Sequence, residues 1–207
     1  MSLAASNLLH TIPAPDTSSV AALVNTAWND AAGQDATDAA IRAIFELRGA
    51  RRIPGDSALV LIGQAVTDYL RAKLDGVITA YRQAKVYAYR GETRCEIVHQ
   101  TETRSLGSLG FADYHARLKI EGTESPDNKI RPLAEIVLVT KLPQQLIGSR
   151  RERQLVITFK HPAHKPRSIA VGGDDRIDLH VAIHDLGEDL RDAVLRYLEG
   201  CELRAAC

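Results

Sequence analysis

A chain of 207 residues with 45% hydrophobic and 25% charged side chains is long enough to enclose one sizeable core and too apolar to stay unfolded. Its 26 basic and 26 acidic residues cancel, which removes the overall charge excess of a general nucleic-acid or anionic-membrane binder. The three cysteines, Cys95, Cys201 and Cys207, are odd in number and form no CxxC pair, so neither a disulfide framework nor a zinc ribbon is expected, and a reducing, cytoplasmic setting, or a place within an assembled particle, fits them.

Residues 1–16 are small, polar and punctuated by Pro13 and Pro15, which predicts an N-terminal arm without the basic start or apolar stretch of a secretory signal. Residues 17–85 then read as helical. Val20, Leu23, Val24, Ala27 and Trp28 recur at three- and four-residue spacing behind Asp16, Thr17 and Ser18 as capping residues. A second helix is expected from about Thr37 to Arg48, with Ile41, Ile44 and Phe45 on one face and Gly49 as its stop. After "IPGDS", with Asp56 or Ser57 as N-cap, the set Leu59, Ile62, Val66, Tyr69, Leu70, Leu74, Val77 and Tyr81 keeps helical period from about 57 to 84, with Gly76 as a place to bend. No stretch has the roughly 20 apolar residues that a membrane helix requires.

From Val86 the period changes to two. "VYAYRGETRCEIVHQ" reads as a hairpin or bent pair, and Tyr114, Ala116, Leu118 and Ile120 alternate with His115, Arg117, Lys119 and Glu121, as in a strand with one wet face. "LAEIVLVTKL" is apolar enough to be a central strand, and Leu155, Ile157 and Phe159 mark another. "GSLG", "ESPDN" and "HPAHKP" separate them as turns. A last helix is expected from about Leu186 to Gly200, with Asp185 and Glu188 at capping-box spacing. Helices first and strands later predict an α+β fold: N-terminal helices including one long helix, a mostly antiparallel sheet and a C-terminal helix. Residues 86–207 should share one domain with the helical region.

The stretch closest to chemistry is "SIAVGGDDRIDLHVAIH". Read as a hairpin, Gly172 and Gly173 supply the positive φ of a tight turn, with Asp174 and Asp175 as turn residues. Ser168 to Val181 is similar to the Gly-Gly-Asp-Asp hairpin of palm-type polymerases and nucleotidyl cyclases, and the resemblance implies carboxylates beside a divalent metal that aligns a triphosphate. Residues 112–160 supply no matching acidic strand end, so the plain turn is the reading adopted and Asp174 and Asp175 stand as minor catalytic candidates. On a following strand Asp178, His180 and His184 would share a face, and Asp178 and His180 with His161 or His164 form a candidate metal set, though no HExxH or HxH spacing supports it.

No P-loop, GxGxxG or GxSxG motif occurs, so no cofactor is expected and the chain leans away from enzymes. Charge is segregated instead: Asp16, Asp30, Asp35, Asp38 and Glu46 lie early, whereas Arg150, Arg151, Arg153, Lys160, Lys165 and Arg167 lie late. These late cations are candidate phosphate or nucleic-acid contacts. The function expected is a non-enzymatic structural or interaction subunit of a homo- or hetero-oligomeric complex, of virion, phage-like or secretion type. A nucleic-acid-contacting accessory protein and a metal-dependent phosphotransfer or hydrolytic enzyme at the "GGDD" hairpin are the alternatives.

Overall fold

The computed structural model describes residues 17–31, 34–85, 95–108, 111–124, 129–141, 153–171 and 176–205. Three helices come first, α1 (Thr17–Asp30), α2 (Gln34–Gly49) and α3 (Gly55–Lys85); five strands follow, β1 (Cys95–Ser108), β2 (Phe111–Glu124), β3 (Lys129–Lys141), β4 (Gln154–Lys160) and β5 (Arg167–Val171); α4 (Arg176–Ala205) closes the chain. The strands form one antiparallel sheet in chain order, with β3 in the middle as its apolar sequence predicts. This is the α+β arrangement expected. The predicted arm, the start of "VYAYRGETRCEIVHQ" and the turn residues 172–175 lie outside the described residues.

The long helix spans 31 residues, about 46 Å at 1.5 Å per residue. Every member of its predicted apolar set is buried, because α3 lies between α1, α2 and the sheet. It starts slightly earlier than expected. The Ala58 amide donates to the Pro54 carbonyl at 3.0 Å, so Pro54 takes the capping place and Asp56 falls in the first turn, where its charge suits the helix dipole. Gly76 serves the approach of α1: a Cβ there would lie 3.1 Å from the Ala31 Cβ and 3.4 Å from the Ala27 carbonyl oxygen.

Helix α2 ends at Gly49, the expected stop, but the left-handed conformation that closes such an end lies two residues farther on. Arg51 carries that conformation, at φ 55°. The Arg52 amide donates to the Leu47 carbonyl at 2.8 Å and the Arg51 amide to the Arg48 carbonyl at 2.9 Å, the paired bonds of a Schellman motif with an arginine where glycine is usual.

Two tyrosine and glycine pairs key the helices to the sheet. Tyr114 of β2 packs on Gly63 of α3, where a Cβ would come within 2.4 Å of the ring, and Tyr197 of α4 packs on Gly122 of β2, where a Cβ would come within 2.2 Å. Each glycine is the gap a tyrosine fills. The Tyr114 hydroxyl donates to Thr67 Oγ1 at 3.0 Å, Thr67 donates to the Gly63 carbonyl at 2.8 Å, and the Tyr114 amide donates to Thr140 Oγ1 at 2.9 Å. A buried polar set is thereby satisfied from three elements. Burial pushes the Tyr114 phenol above its ordinary 10.0, so it stays a donor.

Pro132, inside central β3, lacks the amide a strand interior needs. It is tolerated because the β2–β3 register shifts between Ile120 and Glu121, leaving an irregularity at Pro132 and Leu133.

The main correction concerns the C-terminal half of "SIAVGGDDRIDLHVAIH". Residues 176–184 begin α4 and form no second strand, so "GGDD" connects a strand to a helix. The expected Leu186 start is likewise ten residues late. Ile177, Leu179, Val181 and Ile183 fit a period of two, but Leu179, Ile183, Leu186 and Leu190 also fit a helix. Adjacent Ala182 and Ile183 are both buried, which a strand with one covered face would not allow. Continuity with the long apolar stripe of α4 selects the helix.

Candidate functional site

The palm-like reading needs a strand on each side of its acidic turn, and here only β5 precedes and α4 follows. Asp174 and Asp175 lie outside the described residues. Asp178 and His180 belong to α4, where positions two apart lie on different sides of the helix, so the shared strand face proposed for them is lost. His184 is exposed and lies 3.9 Å from Asp185.

His161 and His164 do come together, with ring centroids 4.8 Å apart in the β4–β5 connection. The Ala163 amide donates to His161 Nδ1 at 3.1 Å, so the neutral ring carries its proton on Nε2. Burial lowers the His161 pKa below 6.5, and the nearby positive charges of His164 and Arg196 lower it further against the pull of Asp189. In this arrangement the lone pair of Nδ1 is taken up by the Ala163 amide. Among the described residues no group of three His, Cys, Asp or Glu side chains could hold a metal ion.

The basic set is divided. Arg150 and Arg151 lie outside the described residues. Arg153 precedes β4 and faces Asp56 at 3.9 Å, while Lys160 ends β4 and bonds Glu135 at 2.9 Å, with the length of the strand, about 23 Å, between them. Arg167 starts β5 and reaches Asp189 of α4 at 2.5 Å. Because Phe159 is its register partner and is buried, Arg167 lies on the helix-covered side, whereas Lys160 lies on the other. Lys165 is exposed in the connection. These four do not converge into one phosphate clamp.

What the strands do assemble is a face. Helices α3 and α4 cover one side of the sheet, and among the described residues no helix packs on the other. Register builds that outer side in rows. His115, Val139, Val156 and Ala170 form one row; Arg117, Val137, Thr158 and Ser168 form the next; Lys119, Glu135 and Lys160 close it. Val137, Val139 and Val156 are half-buried at the centre. Glu135 accepts from both Lys160 and Arg117; burial would raise its pKa, but those hydrogen bonds and charges outweigh it and hold the carboxyl below the ordinary 4.5. Farther along, Val98 is 38% and Ile130 61% exposed. The apolar element of this face is therefore in two parts, three half-covered valines on one side of the charged row and two exposed aliphatics on the other.

Two features escaped the sequence reading. Lys73 is only 4% exposed; its ammonium donates to the Trp28 carbonyl at 2.5 Å and lies 5.8 and 5.7 Å from the centroids of Trp28 and Tyr69. It caps the C-terminal end of α1 from inside the core, and burial pushes its pKa below 10.5. The signal was a lysine four residues after Tyr69 and three after Leu70, on the apolar stripe. Cys201 is buried and disulfide-bonded, which corrects the expectation drawn from the odd cysteine count.

No described helix is long and apolar enough to cross a membrane. Comparison of the chain with protein-family models, with curated proteins and with solved structures finds no match.

Proposed function

We propose that this chain is a non-enzymatic interaction subunit that works as one copy within a larger protein assembly, using the outer face of its sheet. The supporting observation is the face that no described helix covers: three half-buried valines on β3 and β4, with the Arg117, Glu135 and Lys160 charges beside them and exposed Val98 and Ile130 beyond that charged row. Such a patch removes apolar area from water only when a partner covers it, and the charged row limits which partners fit.

The test is size exclusion with light scattering on the purified full chain, at micromolar and tenfold higher concentration, in low and high salt. The proposal expects mass to rise with concentration and to survive high salt, since the contact is centred on valines. A strict monomer under all four conditions, with no protein partner recovered by cross-linking at that face, rejects it.

A further inference from the structure

The disulfide of Cys201 has two candidate partners, since the chain holds only Cys95 and Cys207 besides. The path of α4 across the sheet distinguishes them. Asp189 of α4 meets Arg167 on β5 at 2.5 Å. Two turns later Tyr197 sits against Gly122 of β2, and its hydroxyl donates to the Thr123 carbonyl at 3.3 Å. The helix therefore crosses from β5 toward β1 while advancing toward the C-terminal end of β2. Cys201 follows Tyr197 by four residues, on the same side of the helix and about 6 Å farther along its axis.

Register places Cys95 at the end of that path. It opens β1 opposite Glu124, beside the Glu96–Thr123 and Ile97–Gly122 pairs. Position 95 also shares a strand face with Ile97, which is buried on the helix-covered side. Cys207 fits less well, because α4 keeps its helix to Ala205 and a partner six residues beyond Cys201 would require the chain to reverse within two residues. We infer that Cys201 is bonded to Cys95, so that the C-terminal part of α4 is covalently tied to the edge strand of the sheet.

The bond forms by exchange with a low-molecular-weight disulfide. One cysteine thiolate attacks it and releases a thiol; the second attacks the mixed disulfide and releases another, so two electrons and two protons leave in the reduced thiols. The link encloses roughly a hundred residues, the long-loop case in which a cross-link restricts the unfolded chain most. It also holds β1, which pairs with β2 alone, and so fixes one margin of the open face.

The experiment is peptide mapping of the full chain after exposure to oxidised glutathione, with free thiols alkylated before trypsin. The three cysteines then fall in separate peptides, Cys95–Arg104, Tyr197–Arg204 and Ala205–Cys207. The expected product links the first two and leaves Cys207 alkylated. A Tyr197–Arg204 peptide joined to Ala205–Cys207, or three alkylated cysteines, overturns the inference. Thermal melts give a second reading: reductant is expected to lower the Tm of the wild type and of Cys207→Ser by about 5–15 °C and to leave Cys95→Ser unmoved. Loss of the reductant effect in Cys207→Ser with its retention in Cys95→Ser would assign the bond to the tail instead.

Discussion

The two faces of the sheet are made by the same strands and share every backbone hydrogen bond, yet they meet different surroundings. On the covered side Tyr114, Ala116, Leu118, Ile136, Leu138, Leu155 and Ile157 are buried under α3 and α4. On the open side the residues between them are Arg117, Lys119, Glu135, Val137, Val139 and Val156, ion-paired or half-covered. Alternation decides which side is wet, but it does not decide which helix sits where. That is set by the reciprocal keys, a strand tyrosine in a helix glycine and a helix tyrosine in a strand glycine.

Neighbouring residues on β3 give the largest test of this contrast. Leu138→Ala should cost about 2–5 kcal/mol through lost burial and a cavity, whereas Val137→Ala should cost less than about 1 kcal/mol in the isolated chain. Urea unfolding of both variants checks it, and equal losses would mean that the open face is covered within the monomer. Gly63→Ala comes next, at about 1–3 kcal/mol, because the added methyl would overlap the Tyr114 ring. Combining it with Tyr114→Leu should recover part of that loss; strict additivity in the double-mutant cycle would show that the two do not touch.

The smallest effect belongs to the charged row. Glu135→Gln should cost no more than about 1 kcal/mol, since its partners are half-exposed. The folded-state pKa of Glu135 is lowered, so the stability it contributes is present above the ordinary 4.5 and is lost as pH falls through the folded value. Denaturant melts of wild type and variant should therefore differ at pH 7 and converge once pH has fallen through the lowered folded-state value. A gap that persists in acid would assign the effect to packing rather than charge.

Much of this architecture was legible in the sequence, and the failures share a cause. The stripe of α3 and the alternation of β2 are long and contradicted by nothing nearby, so periodicity alone recovered them. The start of α4 was missed because Leu179 and Ile183 satisfy both periods at once and the preceding "GGDD" reads naturally as a hairpin turn. The candidate metal set depended on that misplaced strand and parted with it. Lys73 and the Cys201 bond were missed for another reason: a helix-terminal carbonyl and a distant thiol become neighbours only through tertiary packing. The open face lay between, since its alternation was read correctly while its width across four strands required the register.

The most direct test replaces Val137 and Val156 with glutamate, two half-covered positions on adjacent strands of the open face, and compares the variant with the wild type by light scattering at matched concentration. A wild type larger than one chain is expected, and a variant that is monomeric with an unchanged far-ultraviolet circular dichroism spectrum. A folded variant that assembles as the wild type does would contradict that expectation, and the contact surface would then have to lie elsewhere on the molecule.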